Sequence, residues 1–331
     1  MATTSSRANT VKYWQNNRER VLGLNKRAAS AIKKRLRNIP LLEEQLCISA
    51  IGSDGRLEKG LDSKLELQIL HKDLNVNVVR EVDMMLREIE MGGQPMMEDS
   101  ETEVKALGSD SMGYAFSKRS VPCPARLLDS FILFGNNDLR GKAKALLVQE
   151  LSGKEGKRLL KKLRERNRLF RGITESGVQC WKGQEITHYD LEAGVSNFTT
   201  VSDFEGNDVQ VRGFKHGPLR YVQGVIEQSI VVFARSMLGK GDPNGAAMVL
   251  SEMPTPTVEK LEYLQDVGVA TISPEAISEA ADCYLRFLQL YHMAEWMAAK
   301  GTSQMRFDAR EARSRINTIL QVLEGGIVEG I

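Results

Sequence analysis

Apolar positions Val11, Trp14, Val21, Leu24, Ala28, Ala31, Ile32 and Leu36 recur every three or four residues, which predicts a helix over 10–37 that ends before Pro40. Its C-terminal half carries Lys26, Arg27, Lys33, Lys34, Arg35 and Arg37, charges that suit the negative end of a helix dipole. The period then changes. Residues 46–51 form a short apolar run that suits a buried strand. Residues 64–70 alternate, with Leu65, Leu67 and Ile69 on one face and Lys64, Glu66 and Gln68 on the other, which predicts a second strand. Between them Gly52, Gly55 and Gly60 punctuate a tight turn.

Further along, Val78, Val79, Val82, Met85, Leu86 and Ile89 predict an amphipathic helix over 75–89, with Asn75 or Asn77 as its cap. A third strand is expected at 102–107 and a fourth at 126–134, joined by a loop over 108–124, and a helix over 138–151 follows. The second half reads as helical at about 157–168, 217–238, 258–267, 274–299 and 309–323, with a hairpin near 209–214 and a Gly- and Pro-containing linker over 239–256. The expected organisation is therefore an α+β domain over 1–151, built on a small mixed sheet behind the N-terminal helix, and a mainly helical domain over 152–331.

Composition narrows the function classes. The 331 residues are 42% hydrophobic and 27% charged, the balance of a chain that builds a sizeable core. Net charge is +2, so the molecule as a whole does not attract polyanions, although local basic patches such as the stretch 157–168 could lie along RNA. Its interleaved leucines favour a packed amphipathic helix instead. No apolar run reaches the length of a membrane span, and the polar first ten residues lack a signal-peptide core. Cys47, Cys123, Cys180 and Cys283 form no CxxC pair. Buried thiols and a cytoplasmic setting are expected. His71, His188 and His292 have no neighbours at metal-ligand spacing and are read as core or surface residues.

The chemistry concentrates in Gly52-Ser53, Arg56, Glu58, Gly60, Ser63 and Lys64-Leu65-Glu66-Leu67. A glycine lets backbone N–H groups approach phosphate closely, and acids two apart on a strand share a face on which divalent cations could sit. This order resembles the DNA polymerase β-type nucleotidyltransferases, in which Gly-Ser precedes an Asp-x-Asp pair by about ten residues. Two further stretches, Arg126 to Leu139 and Phe214 to Gln223, are similar to the bacterial uridylyltransferases that modify the nitrogen-signalling protein, and to their putative relatives. The chain departs from that pattern where Lys64 and Glu66 replace the acid pair, and where Tyr221 replaces an aspartate after Arg220.

The resemblance implies a nucleotidyltransferase-like fold and a nucleoside triphosphate ligand. Gly52 and Ser53 would hold phosphate, and Arg56, Lys64, Lys215 and Arg220 would meet its charge. Glu66, with Glu103 from the third strand, would supply the catalytic and metal-binding carboxylates for Mg²⁺. Lysine cannot coordinate Mg²⁺, and exchanging two carboxylates for a lysine and a glutamate removes most of the local attraction for a cation. The reading adopted is a nucleotide-binding or interaction pseudoenzyme with a protein partner. Its rivals are an active enzyme transferring NMP to a protein or small-molecule hydroxyl, and an RNA-binding protein that uses the basic helix.

Overall fold

A computed structural model describes the chain from Thr4 to Asp308, apart from residues 40, 61–63, 73, 98–101, 107–126, 155, 159, 162–187, 191–198, 203–207, 212–219, 269–272 and 300–305. Helix α1 (Thr4–Leu36) opens the fold. Its predicted stripe is buried at Trp14, Val21, Ala28, Ile32 and Leu36. A short turn of helix, α2 (Leu42–Gln45), leads into strand β1 (Leu46–Ala50). After a helical turn, α3 (Gly52–Gly55), the chain returns as β2 (Leu67–His71). Helix α4 (Val76–Arg87) follows, capped by Asn75, whose side chain accepts from the Asn77 N–H. A small hairpin, β3 (Glu90–Met91) and β4 (Gln94–Pro95), precedes β5 (Glu103–Ala106).

Strand β6 (Phe131–Gly135) completes a mixed sheet of order β5-β2-β1-β6, in which β1 is antiparallel to both neighbours and β5 runs parallel to β2. The alternation read at 64–70 holds. Leu65, Leu67 and Ile69 join the core formed with α1 and α4, while Gln68 pairs with Ser49 and Cys47 belongs to the opposite core. The expected strand over 126–134 is corrected in its first half. Leu127 and Leu128 are helical and Asp129 lies in a turn, closed by the Ser130 hydroxyl donating to the Leu127 carbonyl.

Helix α5 (Asn137–Ser152) packs against β1 and β2. Two small sheets pair β7 (His188–Asp190) with β10 (Arg306–Asp308), and β8 (Thr199–Ser202) with β9 (Asp208–Val211). Then come α6 (Arg220–Gly239), α7 (Pro243–Glu252), α8 (Thr257–Asp266) and α9 (Pro274–Ala299). Helix α7 corrects the expected 239–256 linker. Pro243 occupies the first helical turn, where its missing N–H costs nothing, and the Asp242 side chain accepts from the Gly245 N–H. The residues that read as breakers are a start signal.

One core runs from Trp14 through Cys47, Leu127 and Leu147 to Val231, Leu261 and Leu288, so residues on both sides of position 151 pack together. Tyr284, Phe287 and Leu288 of α9 lie in it. Most of the basic stretch at 157–168 and the expected helix at 309–323 lie outside the described residues. No described helix is long and apolar enough to cross a membrane.

Lys144, buried on α5, donates to the Ser251 carbonyl at 3.1 Å. Burial, then Arg140 and Lys260, push its ammonium down to about 8 from an ordinary 10.5. Below pH 8 the folded protein bears the full cost of that charge. As pH rises from 8 towards 10.5 the folded state releases the proton first, and stability rises. Lys144→Met is therefore expected to stabilise the protein at pH 7 by about 1–2 kcal/mol, net of the lost hydrogen bond. Urea midpoints at pH 7 and pH 10 check this: the gain should shrink at the higher pH.

Candidate functional site

The site is built where β1 ends and β2 begins. The Ile51 N–H donates to the Glu66 carbonyl at 2.9 Å, so the two strands remain joined one residue past Ala50. Gly52 then adopts φ +64°, a left-handed conformation that glycine takes without strain. A Cβ placed on Gly52 would lie 3.0 Å from the Glu66 Oε2. The Glu66 carboxylate thus packs directly against the first residue of the Gly-Ser turn. Ser53, Lys64 and Glu66 are each half-buried.

The structure therefore brings together Gly52, Ser53 and Glu66, with Lys64 two residues before Glu66. Glu103 enters β5 opposite Gln68, two positions along from Glu66, and its side chain lies outside those described. Gln68 is buried and its Oε1 has no hydrogen-bond partner. Lys215 lies outside the described residues, and Arg220 is placed only as the first residue of α6. Among the described residues, no group of three or more His, Cys, Asp or Glu could hold a metal ion. The described side chains do not offer the oxygen-rich shell that Mg²⁺ requires.

Arg56 sits elsewhere than at a phosphate. It is buried, and its guanidinium is taken up by Glu58 (Nε to Oε2, 3.0 Å) and Asp129 (Nη1 to Oδ2, 2.8 Å). Burial alone would lower its pKa, but the Asp129 and Glu58 carboxylates hold it above its ordinary value. Asp129 also pairs with Lys260 from α8. Glu58 accepts from the Tyr284 hydroxyl at 2.7 Å, the Gln223 amide at 3.2 Å and the Thr257 N–H at 2.7 Å. Pro256 precedes α8 with no side-chain cap of its own, so a carboxylate 199 residues earlier in the chain serves its first amide.

Helix α1 grips the other side of the turn. Arg20 donates to the carbonyls of Lys59 (2.6 Å) and Gly60 (3.1 Å), and Asn25 to that of Asp54 (3.2 Å). Lys59 and Asp54 form a further buried pair at 3.0 Å. His292 is a core residue, as expected. The Glu58 carbonyl can only accept, so His292 Nε2 donates to it at 2.9 Å, and in the neutral ring Nδ1 accepts from Tyr13 at 2.8 Å. Cys47 and Cys283 are buried free thiols. Reading the sequence missed Lys260, Gln223 and Tyr284 as partners of the turn. The one signal was Asp129, an acid inside a leucine-rich stretch, which demanded a buried cation somewhere.

A scan against protein-family models finds no match for this chain, and a search of curated proteins finds none.

Proposed function

We propose that this chain is a nucleotidyltransferase-like protein that binds a nucleoside triphosphate or a similar polyphosphate without a resident divalent metal, and works through binding rather than NMP transfer. The observation that carries this reading is the Glu66 carboxylate packed against Gly52, with Lys64 two residues before it. A turn that opens on a left-handed glycine lets backbone N–H groups approach phosphate oxygens. Lys64 and Glu66 sum to zero charge, so a carboxylate there repels phosphate unless the lysine offsets it. One lysine can neutralise a phosphate as a point charge, which is work that a metal ion does in a two-acid site.

The test is calorimetric titration of each NTP with and without Mg²⁺. Binding is expected without metal, and Lys64→Ala should weaken it about tenfold, the loss of one charge-assisted contact. Lys64→Asp, which restores a pair of acids, should convert binding to one that requires Mg²⁺. A signal from the unaltered protein that appears only with Mg²⁺ would return the reading to an active transferase, for which Glu66 and Glu103 are the carboxylates. A complete absence of binding would leave the turn without a ligand and end the reading.

A further inference from the structure

Glu58 is the residue on which the turn and the helical layer meet. Its own N–H donates to the Ser53 carbonyl at 2.7 Å, one of the closures that shape α3; Arg56 N–H to the Gly52 carbonyl, 3.0 Å, is another. Its carboxylate is 2% exposed as a residue and is held by Arg56, Gln223, Thr257 and Tyr284. Its carbonyl is held by His292. Apart from Arg56, those partners come from α6, α8 and α9, and His292 is backed by Tyr13 of α1.

We infer that Glu58 is a positioning residue: by tying Ser53 to the first turn of α8 and to Tyr284, it holds the Gly52–Ser53 turn in the shape that receives a ligand, and the helical half of the chain acts as its clamp. The physical reason is geometric. A glycine-rich turn has many backbone states and gains ligand affinity when it is fixed in advance. Hydrogen bonds within four residues are weak restraints, whereas a buried carboxylate with four donors cannot shift without leaving some of them unpaired. The helical layer is then part of the site although none of its described side chains contacts Ser53 in the bonds above. This rests on reading Gly52–Ser53 as an anion-holding turn, and the test separates the two claims.

Two variants address it in the full chain. Glu58→Gln removes the charge while keeping the shape. Thr257→Pro removes the N–H that reaches Glu58, together with the buried Thr257 hydroxyl beside Tyr284, at a first-turn helix position where proline is tolerated and after a residue already extended (φ −66°, ψ 137°). The probes are Mg²⁺-free ATP and inorganic tripolyphosphate by calorimetry, and amide hydrogen exchange at Gly55, Arg56, Leu57 and Glu58 compared with β1. Both variants are expected to bind the probes about tenfold more weakly, and to exchange the turn amides about tenfold faster while β1 is unchanged. If the unaltered protein binds neither probe but the variants still loosen the turn selectively, the ligand reading falls and the positioning role stands. Unchanged turn exchange in Thr257→Pro, an equal rise in β1, or unaltered affinity in both variants would overturn the inference.

Discussion

Asp129→Asn is expected to lower the stability of the fold by about 3–5 kcal/mol at pH 7, the cost typical of breaking a buried ion pair from one side. The substitution keeps the volume, so no cavity enters the account. What changes is charge. Arg56 and Lys260 face Asp129 and Glu58 in a buried set of two cations and two anions. Removing one anion leaves Lys260 with no other ion-pair partner among the described residues. Asp129 is 4% exposed and Lys260 3%, so water cannot take the place of the lost carboxylate.

The pH dependence distinguishes this from a packing defect. Burial alone would raise the Asp129 carboxyl, but Lys260 and Arg56 hold it below its ordinary 3.8. A depressed acid contributes stability that is fully present above its unfolded pKa and is lost as pH falls through the folded one. The gap between the unaltered protein and Asp129→Asn should therefore be full at pH 7 and begin to close only below about pH 4. Urea midpoints across that range measure it. Coincident midpoints at neutral pH would mean that the buried set contributes nothing net.

Gly55→Ala should do comparable damage through sterics. A Cβ at position 55 would stand 1.6 Å from the Asp129 carbonyl oxygen and 2.8 Å from that of Ala50. Both obstacles are backbone, and neither can swing aside as a side chain would. To make room, α3 must separate from the 127–130 turn, which pulls Asp129 from Arg56 and Lys260. Overpacking ordinarily costs about 1–3 kcal/mol, and here the ionic loss adds to it, so about 3 kcal/mol or more is expected. The measurement is soluble yield and urea midpoint. Gly92→Ala is the contrasting control: nothing lies within 4 Å of its Cβ position, and only the φ of +65° opposes it. Equal effects at the two glycines would show that the close approach to Asp129 is not what position 55 requires.

The two predictions concern residues that the sequence made visible to different degrees. Gly52, Gly55 and Gly60 between an apolar run and an alternating one announce a strand, a turn and a strand, and β1, α3 and β2 follow that order. The same alternation placed Leu65, Leu67 and Ile69 in a core and Glu66 on the other face. Asn75 or Asn77 before a helical period marked a helix start, and the structure chose Asn75 as the cap. Local pattern failed where a residue had two readings. Pro243 and Gly245 mark a break in isolation, and a helix once Ala246, Val249 and Leu250 are found buried. Arg56 beside a glycine-rich turn reads as a phosphate ligand until Asp129 is found 2.8 Å away.

By itself, then, the sequence determined the period of each long element, the glycine turn between β1 and β2, and the core face on which Leu65, Leu67 and Ile69 lie. Those properties depend on neighbours a few positions apart, where steric rules and side-chain spacing act directly. Only the tertiary structure decided that Glu58 and Asp129 are buried, and that Thr257, Lys260, Tyr284 and His292 are what they are buried against. Removing a charge from water requires partners close in space, and nothing in the spacing of residues along the chain says which distant side chains those partners will be.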